Sequence, residues 1–352
     1  MHIEHGLYLL FVIISISRAA DPVMLADSLN TYCYDFVVID TGEIVFIDNE
    51  GCLSIVSPTN PMQIRKFEIQ WGNELDEWGN TGNLINLSAN SDGGMICFTQ
   101  FVNIPDGLNI ESEFYIPVPL LVAVCRSDGS DADIIGLSID VGGGPHFDFT
   151  RDSRYVFGNP FLECLPSPEA YAEFMSDDGE RLPDYLMVDL ETGERSGNPS
   201  VLGDGYYLNP YSDLAAAGWY PPNTIVDIAT QEVLLEDTCI NHPTVIGTWV
   251  LPDAGLAGSD DGQVLRYSSG TETVNPGLAL KVYCMIPDGR YLFSIDGRDT
   301  VMLGLINWDT FETSGSLKIP ELAGLYCTIK PLSDSNGVVF RNANSLYYFE
   351  LP

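Results

Sequence analysis

Positive charge is scarce in this chain: 15 Lys and Arg stand against 50 Asp and Glu, a formal net charge of −35. So few cations exclude the basic stripe that a nucleic-acid interface needs, and no nucleic-acid partner is expected. The imbalance describes an acidic, self-repelling surface, and a monomer is expected. Histidine is nearly absent too, with four copies. Two of them, His2 and His5, fall in an N-terminal leader, which leaves His146 and His242. A three-histidine metal centre within one chain is thereby excluded.

Other absences narrow the chemistry. There is no C-x-x-C pair, no Gly-x-Ser-x-Gly elbow, no phosphate-cradling glycine loop, no H-E-x-x-H and no complete EF-hand loop. Zinc ribbons, serine-hydrolase elbows, P-loop nucleotide sites and zincin centres lose their usual signals. No stretch reaches the roughly 18 apolar residues of a membrane-spanning helix, so no membrane span is expected. Sustained 3.6-residue periodicity is also missing, and only residues 167–175 read as helix.

What is present begins with an apolar run over residues 7–16, Leu-Tyr-Leu-Leu-Phe-Val-Ile-Ile-Ser-Ile. Its length suits a secretory core, and Ser17-Arg18-Ala19 offers small residues for cleavage before Ala20. Residues 1–19 are expected to be a signal peptide and 20–352 a single secreted or periplasmic domain. Eight cysteines, Cys33, Cys52, Cys97, Cys125, Cys164, Cys239, Cys284 and Cys327, fit an oxidising compartment. Disulfides and buried free thiols both remain open readings of them. The 45% hydrophobic and 11% aromatic content supports a large folded core.

A repeat runs through the whole chain. An apolar stretch leads into Asp with a small or polar turn, then into further apolar residues, at Asp40, Asp92, Asp152, Asp213, Asp253, Asp288 and Asp334. Asp and Gly suit tight turns, Pro presets the backbone before them, and the flanking Val, Ile, Phe and Tyr favour pleated strands. Each unit therefore reads as a β-hairpin followed by two more strands. Units of about 47 residues match a propeller blade. The expected units are 31–70, 82–141, 143–203, 204–237, 238–276, 278–320 and 323–352. The last holds only three strands, and residues 22–29 are expected to supply its fourth. The expectation is an all-β, seven-bladed β-propeller whose ring is closed by the N-terminal segment, with eight blades as the rival count.

The hairpin resembles that of TolB-like and WD40-like propeller proteins, best at Cys284-Met-Ile-Pro-Asp-Gly-Arg-Tyr-Leu-Phe293 and over residues 146–157. The resemblance implies a secreted or periplasmic propeller used as a binding platform, sometimes fused to a hydrolase domain. A fused domain of that kind is not expected within residues 20–352.

Two segments are longer than strand connections require. Residues 70–81 carry Trp71, Trp78 and three acids, and residues 161–183 carry Cys164, Tyr171, Phe174 and a run of acids. Long excursions from a rigid scaffold are where binding tends to reside. Trp71, Trp78, Tyr171 and Phe174 are candidate ligand-stacking residues, and His146, after three glycines and a proline, is a candidate at a channel mouth. No metal ligands and no cofactor are assigned. Calcium is the one cation considered, at residues 128–133 and 259–262, where clustered oxygens otherwise read as turns. The expected function is a secreted, non-catalytic platform for a protein or glycan. The alternative is a propeller enzyme, a carbohydrate hydrolase, lyase or lactonase, working through channel-lining carboxylates. Whether it is an enzyme stays open, with catalysis the less favoured reading.

Overall fold

The computed structural model describes residues 22–30, 36–71, 81–102, 119–139, 146–150, 152–159, 164–176 and 187–196, the strands between 206 and 319, and 329–351 apart from 333, 335 and 343. Side-chain surroundings are described within residues 22–195 and 329–351. The strands form seven four-stranded antiparallel sheets. The first contains β2 (Phe36–Val38), β3 (Ile44–Ile47), β4 (Leu53–Ser57) and β5 (Asn60–Lys66). The second contains β6 (Thr81–Ala89), β7 (Met95–Val102), β8 (Pro119–Arg126) and β9 (Asp133–Ile139). The third contains β10 (His146–Phe149), β11 (Tyr155–Asn159), β12 (Met187–Asp189) and β13 (Arg195–Ser196). Sheets β14–β17, β18–β21 and β22–β25 follow within residues 206–237, 244–274 and 280–319, the last beginning with β22 (Leu280–Met285).

The last sheet joins the two ends of the chain. It is built from β26 (Ile329–Pro331), β27 (Gly337–Asn342) and β28 (Ser345–Glu350), and its fourth strand is β1 (Val23–Ala26). Val23 pairs with Tyr348 and Met24 with Tyr347. Residues just after β1 then connect this sheet to the first. The Leu29 amide donates to the Asn344 carbonyl and the Asn30 amide to the Ile47 carbonyl, each at 3.0 Å. The buried Arg341 guanidinium donates to the Asn30 carbonyl.

Adjacent sheets pack face to face through their first strands: β2 lies against β6 and β26, β6 against β10, and β22 against β26. This is a β-propeller arrangement. Side chains show why the strands lack polar alternation. On β3, Ile44 and Phe46 pack toward the last sheet, while Val45 and Ile47 pack toward the second. On β7, Ile96 and Phe98 join the first-to-second core and Cys97 joins the second-to-third core. A strand buried on both faces must be apolar at every position, which is the signature of Ile-Val-Phe-Ile and Leu-Leu-Val-Ala-Val-Cys. Each large side chain so buried contributes about 1.5–3 kcal/mol.

Three of the repeated aspartates take their expected role in the described turns. Asp92 accepts from the Gly94 amide at 2.8 Å, Asp152 from the Arg154 amide at 3.1 Å and Asp334 from the Asn336 amide at 3.0 Å. Each carboxylate thus replaces a backbone turn acceptor. The turns also join neighbouring sheets. The Asp40 amide donates to the Gly93 carbonyl at 3.1 Å, and the Asn90 side-chain amide donates to the Ser153 hydroxyl at 2.9 Å.

One copy is out of phase. Asp253 lies outside the described residues, yet the strand before it, Trp249–Leu251, is the second of its sheet. That copy therefore occupies the next connection along. An apolar strand followed by Pro-Asp marks the end of a strand without saying which connection follows.

The helix expected at 167–175 is α1 (Pro168–Ser176). Ser167 caps it, accepting from the Ala170 amide at 3.2 Å, and Pro168 sits at the first helical position, where no amide partner is required. Hydrogen bonds from its own amide and from Ser167 hold the Glu169 carboxyl below its ordinary range.

Candidate functional site

The outermost strand of the second sheet, β9, is where the two long segments come together. An outer strand carries unpaired backbone groups that must be covered or protected. The chain leaving β5 covers the start of β9: the Gln70 amide donates to the Gly129 carbonyl at 2.8 Å, and the Ala132 amide donates to the Gln70 carbonyl at 3.3 Å. Trp71 forms a parallel bridge with Ala132. The segment between β11 and β12 covers the other end. The Leu137 amide donates to Leu165 at 2.8 Å, and the Leu165 amide returns a bond at 2.7 Å.

Two glycines permit this approach. A Cβ on Gly129 would overlap the Glu68 carbonyl, and φ there is +81°. A Cβ on Gly136 would lie 2.6 Å from both the Cys164 Sγ and the Leu165 carbonyl oxygen. Any larger residue at Gly136 would push the helix-bearing segment away from β9.

Trp71 and Tyr171 meet in one apolar cluster with Leu137, Leu165 and Phe98. The Trp71 ring stands edge-on to Phe98, with centroids 5.7 Å apart and planes at 76°. Tyr171 is completely buried, and burial pushes its phenol up to about 12. It anchors α1 from beneath rather than presenting a ring to a ligand. Trp71 is half-buried and keeps an exposed part. His146 opens β10 opposite Asn159, and Phe174 lies on α1, but the side chains of both fall outside the described residues. Trp78 lies outside them entirely.

β9 bulges where the helix-bearing segment docks. Its register to β8 shifts between Val122 and Ala123. The Ile135 carbonyl accepts from the Cys164 thiol at 3.6 Å and from the Arg195 guanidinium. Ile135 and Arg195 were not singled out from the sequence. The available signal was Gly136 inside a strand-like run, which marks a bulge or a close backbone approach.

Chemical groups nearby are bound up in structure. Cys52, Cys97, Cys125 and Cys164 are free thiols, the last three buried. Burial pushes Cys125 and Cys164 up to about 12 and Cys97 well above its usual value. Cys33, Cys239 and Cys327 lie outside the described residues, as does the side chain of Cys284.

Carboxylates behave alike. Asp128 accepts from the Ser130 amide at 2.9 Å, and Asp131 pairs with the Arg126 Nε at 2.6 Å. Asp189 takes Arg154 through Nε at 3.0 Å and Nη2 at 2.8 Å, and also accepts from the Glu191 amide at 2.9 Å. The Arg154 bonds hold Asp189 below the usual carboxylate range, as the Ser130 bonds do for Asp128. Among the described residues, no three His, Cys, Asp or Glu side chains gather as metal ligands. Residues 259–262 lie outside the description.

No family model matches the chain, and no curated protein matches it in sequence. Solved structures do resemble it in fold. A prolyl endopeptidase is similar at 14% identity and a TM-score of 0.51, over 90% of this chain and 46% of the peptidase. The chain therefore spans about half the length of that protein. A chain of the mitotic checkpoint complex is similar at 9% identity and a TM-score of 0.39, over 96% of this chain and 91% of that one. The dihydro-heme d1 dehydrogenase NirN is similar at 13% identity and a TM-score of 0.44, over 84% of this chain and 68% of that one. At these identities the likeness is one of fold.

Proposed function

We propose that the seven sheets are the blades of one ring, closed by β1, and that the protein is a monomeric, secreted or periplasmic platform that binds a protein or glycan without catalysing a reaction. One observation carries the binding reading: both aromatic and acidic segments dock along the same outer edge of the second sheet, Gln70 and Trp71 on the turn leading into β9 and Leu165 on β9 itself. Covering an edge requires only a short backbone contact. These segments go further, placing Trp71 and the Tyr171-anchored α1 over one cluster, with Glu169 and Glu173 exposed on α1. Half-exposed tryptophan on a rigid support suits stacking on a sugar or anchoring a protein side chain.

The catalytic alternative asks for a carboxyl held protonated near neutrality. The described carboxyls with shifted values, Asp128, Glu169 and Asp189, are all moved the other way, toward the ionised form. Secretion rests on the apolar run at 7–16 and the small residues before Ala20.

A thermal-melt panel on residues 20–352 with oligosaccharides, peptides, calcium and chelator tests the reading. A ligand at about 100 times its Kd raises stability by about 2.7 kcal/mol, or roughly 4 °C for a domain of this length. A shift by a sugar or peptide that Trp71→Ala removes supports the platform. Turnover of any panel compound, or a ligand shift untouched by changes at Trp71 and along α1, overturns it.

A further inference from the structure

Four large apolar side chains are exposed among the described residues: Val23 at 42%, Met24 at 40%, Met62 at 48% and Ile64 at 39%. All four lie on β1 and β5, and those strands lie against each other on the outer rim, where the last sheet meets the first. Single exposed apolar residues need no explanation, but four on two adjoining strands form a strip of the kind that docks a partner. Two are methionines, whose flexible thioethers adapt to varied shapes.

Backbone geometry restricts the partner. β5 is exposed along its whole length, but Pro61 and the left-handed Met62, with φ of 64°, interrupt its start, and its register to β4 shifts between Ile55 and Ser57. Such an edge is a poor template for a long added strand. It leaves room for a short segment laid over Met62 to Lys66.

Charge identifies the chemistry of that segment. Among the cations whose side chains are described, Arg65 pairs with Glu43, Arg126 with Asp131 and Arg154 with Asp189. Arg195 and Arg341 donate to backbone carbonyls, and Lys330 lies 5.5 Å over the Phe36 ring. Lys66 alone among them has no partner, and it is exposed two residues beyond Ile64, on the same side of the strand. An unneutralised cation beside an apolar strip offers a local point of attachment for a carboxylate on a ligand that is otherwise apolar. A second copy would set two chains of net charge −35 against each other, a repulsion that a short segment with few carboxylates largely escapes.

We propose that this rim strip docks a short acidic, apolar segment of a partner polypeptide. Its apolar side chains rest on Val23, Met24, Met62 and Ile64, and a carboxylate faces Lys66. The strip is separate from β9 and does not depend on the platform reading.

The test is fluorescence anisotropy with a labelled peptide alternating leucine and glutamate, against its leucine–glutamine counterpart, at physiological ionic strength. The expected result is saturable binding of the glutamate peptide with Kd below about 1 mM, at least about threefold tighter than the glutamine peptide. Lys66→Gln should erase that preference, Ile64→Asp should abolish binding of both peptides, and Trp71→Ala should leave binding unchanged. No saturable binding, equal binding of the two peptides by the wild-type chain, or binding indifferent to Lys66→Gln and Ile64→Asp overturns the proposal. A concentration-dependent dimer that Ile64→Asp dissolves would assign the strip to a second copy, and also overturns it.

Discussion

Leu137 and Leu165 exchange a pair of backbone hydrogen bonds, 2.8 Å from the Leu137 amide and 2.7 Å from the Leu165 amide. The first residue belongs to an outer strand of the second sheet, and the second to a long connection within the third. Their pairing makes the helix-bearing segment part of the neighbouring sheet and gives α1 a fixed position. The outer strands β9 and β5 manage their edges differently. Residues from both long segments cover β9, whereas β5 relies on Pro61, a register shift and two cations.

Gly136→Val should undock the helix-bearing segment. Its branched side chain meets the Cys164 Sγ and the Leu165 carbonyl, both 2.6 Å from the Cβ position. Overpacking of this kind costs about 1–3 kcal/mol. For a domain of this length, melting should fall by about 2–4 °C. An unchanged melting temperature would show that the segment does not rest on β9.

Phe98→Ala should be the more damaging change. Phe98 is fully buried between the first and second sheets and supports the Trp71 ring. Loss of about 3–5 kcal/mol is expected, read as a fall of roughly 4–7 °C in melting temperature. A loss below about 1 kcal/mol would contradict the packing of these two sheets.

Thiol labelling should be selective. In the native protein near pH 8, Cys52 should react, because it is partly exposed. Cys97, Cys125 and Cys164 should not, because they are buried, and Cys125 and Cys164 stay protonated up to about 12. Peptide mapping by mass spectrometry reads this directly. Modification of Cys164 at the rate of Cys52 would contradict the docked segment.

Acid stability should carry the mark of Asp189. Its bonds to Arg154 lower its value in the folded state relative to the unfolded chain. The stability it contributes is therefore present above the unfolded value of about 3.9 and is lost as pH falls through the lower folded value. Asp189→Asn should be less stable than wild type at neutral pH, with the gap narrowing in acid. A gap that stays constant from neutral pH to about pH 2 would contradict the assignment.

The strand rhythm was legible in the sequence because turn chemistry is local. Asp92, Asp152 and Asp334 accept from amides two residues ahead, a bond settled within a few residues of chain. Ser167 and Pro168 announced a helix start for the same reason. The phase of the copy at Asp253 was not legible, since the same local chemistry can end any strand of a sheet. Nor was the fate of Tyr171. An aromatic residue in an acidic segment suggests a surface role, and its burial depends on Leu165 pairing with a residue 28 positions earlier in the chain. Gly136 was the visible trace of that contact, as a glycine where strand chemistry would prefer a branched side chain.

Amide hydrogen exchange at Leu137 and Leu165 tests the docking of the helix-bearing segment on β9 most directly. The account predicts that both amides are protected to the degree of the β7–β8 ladder, and that Gly136→Val releases them together. Exchange of the Leu165 amide at the rate of an exposed loop, with β7 and β8 still protected, would contradict it.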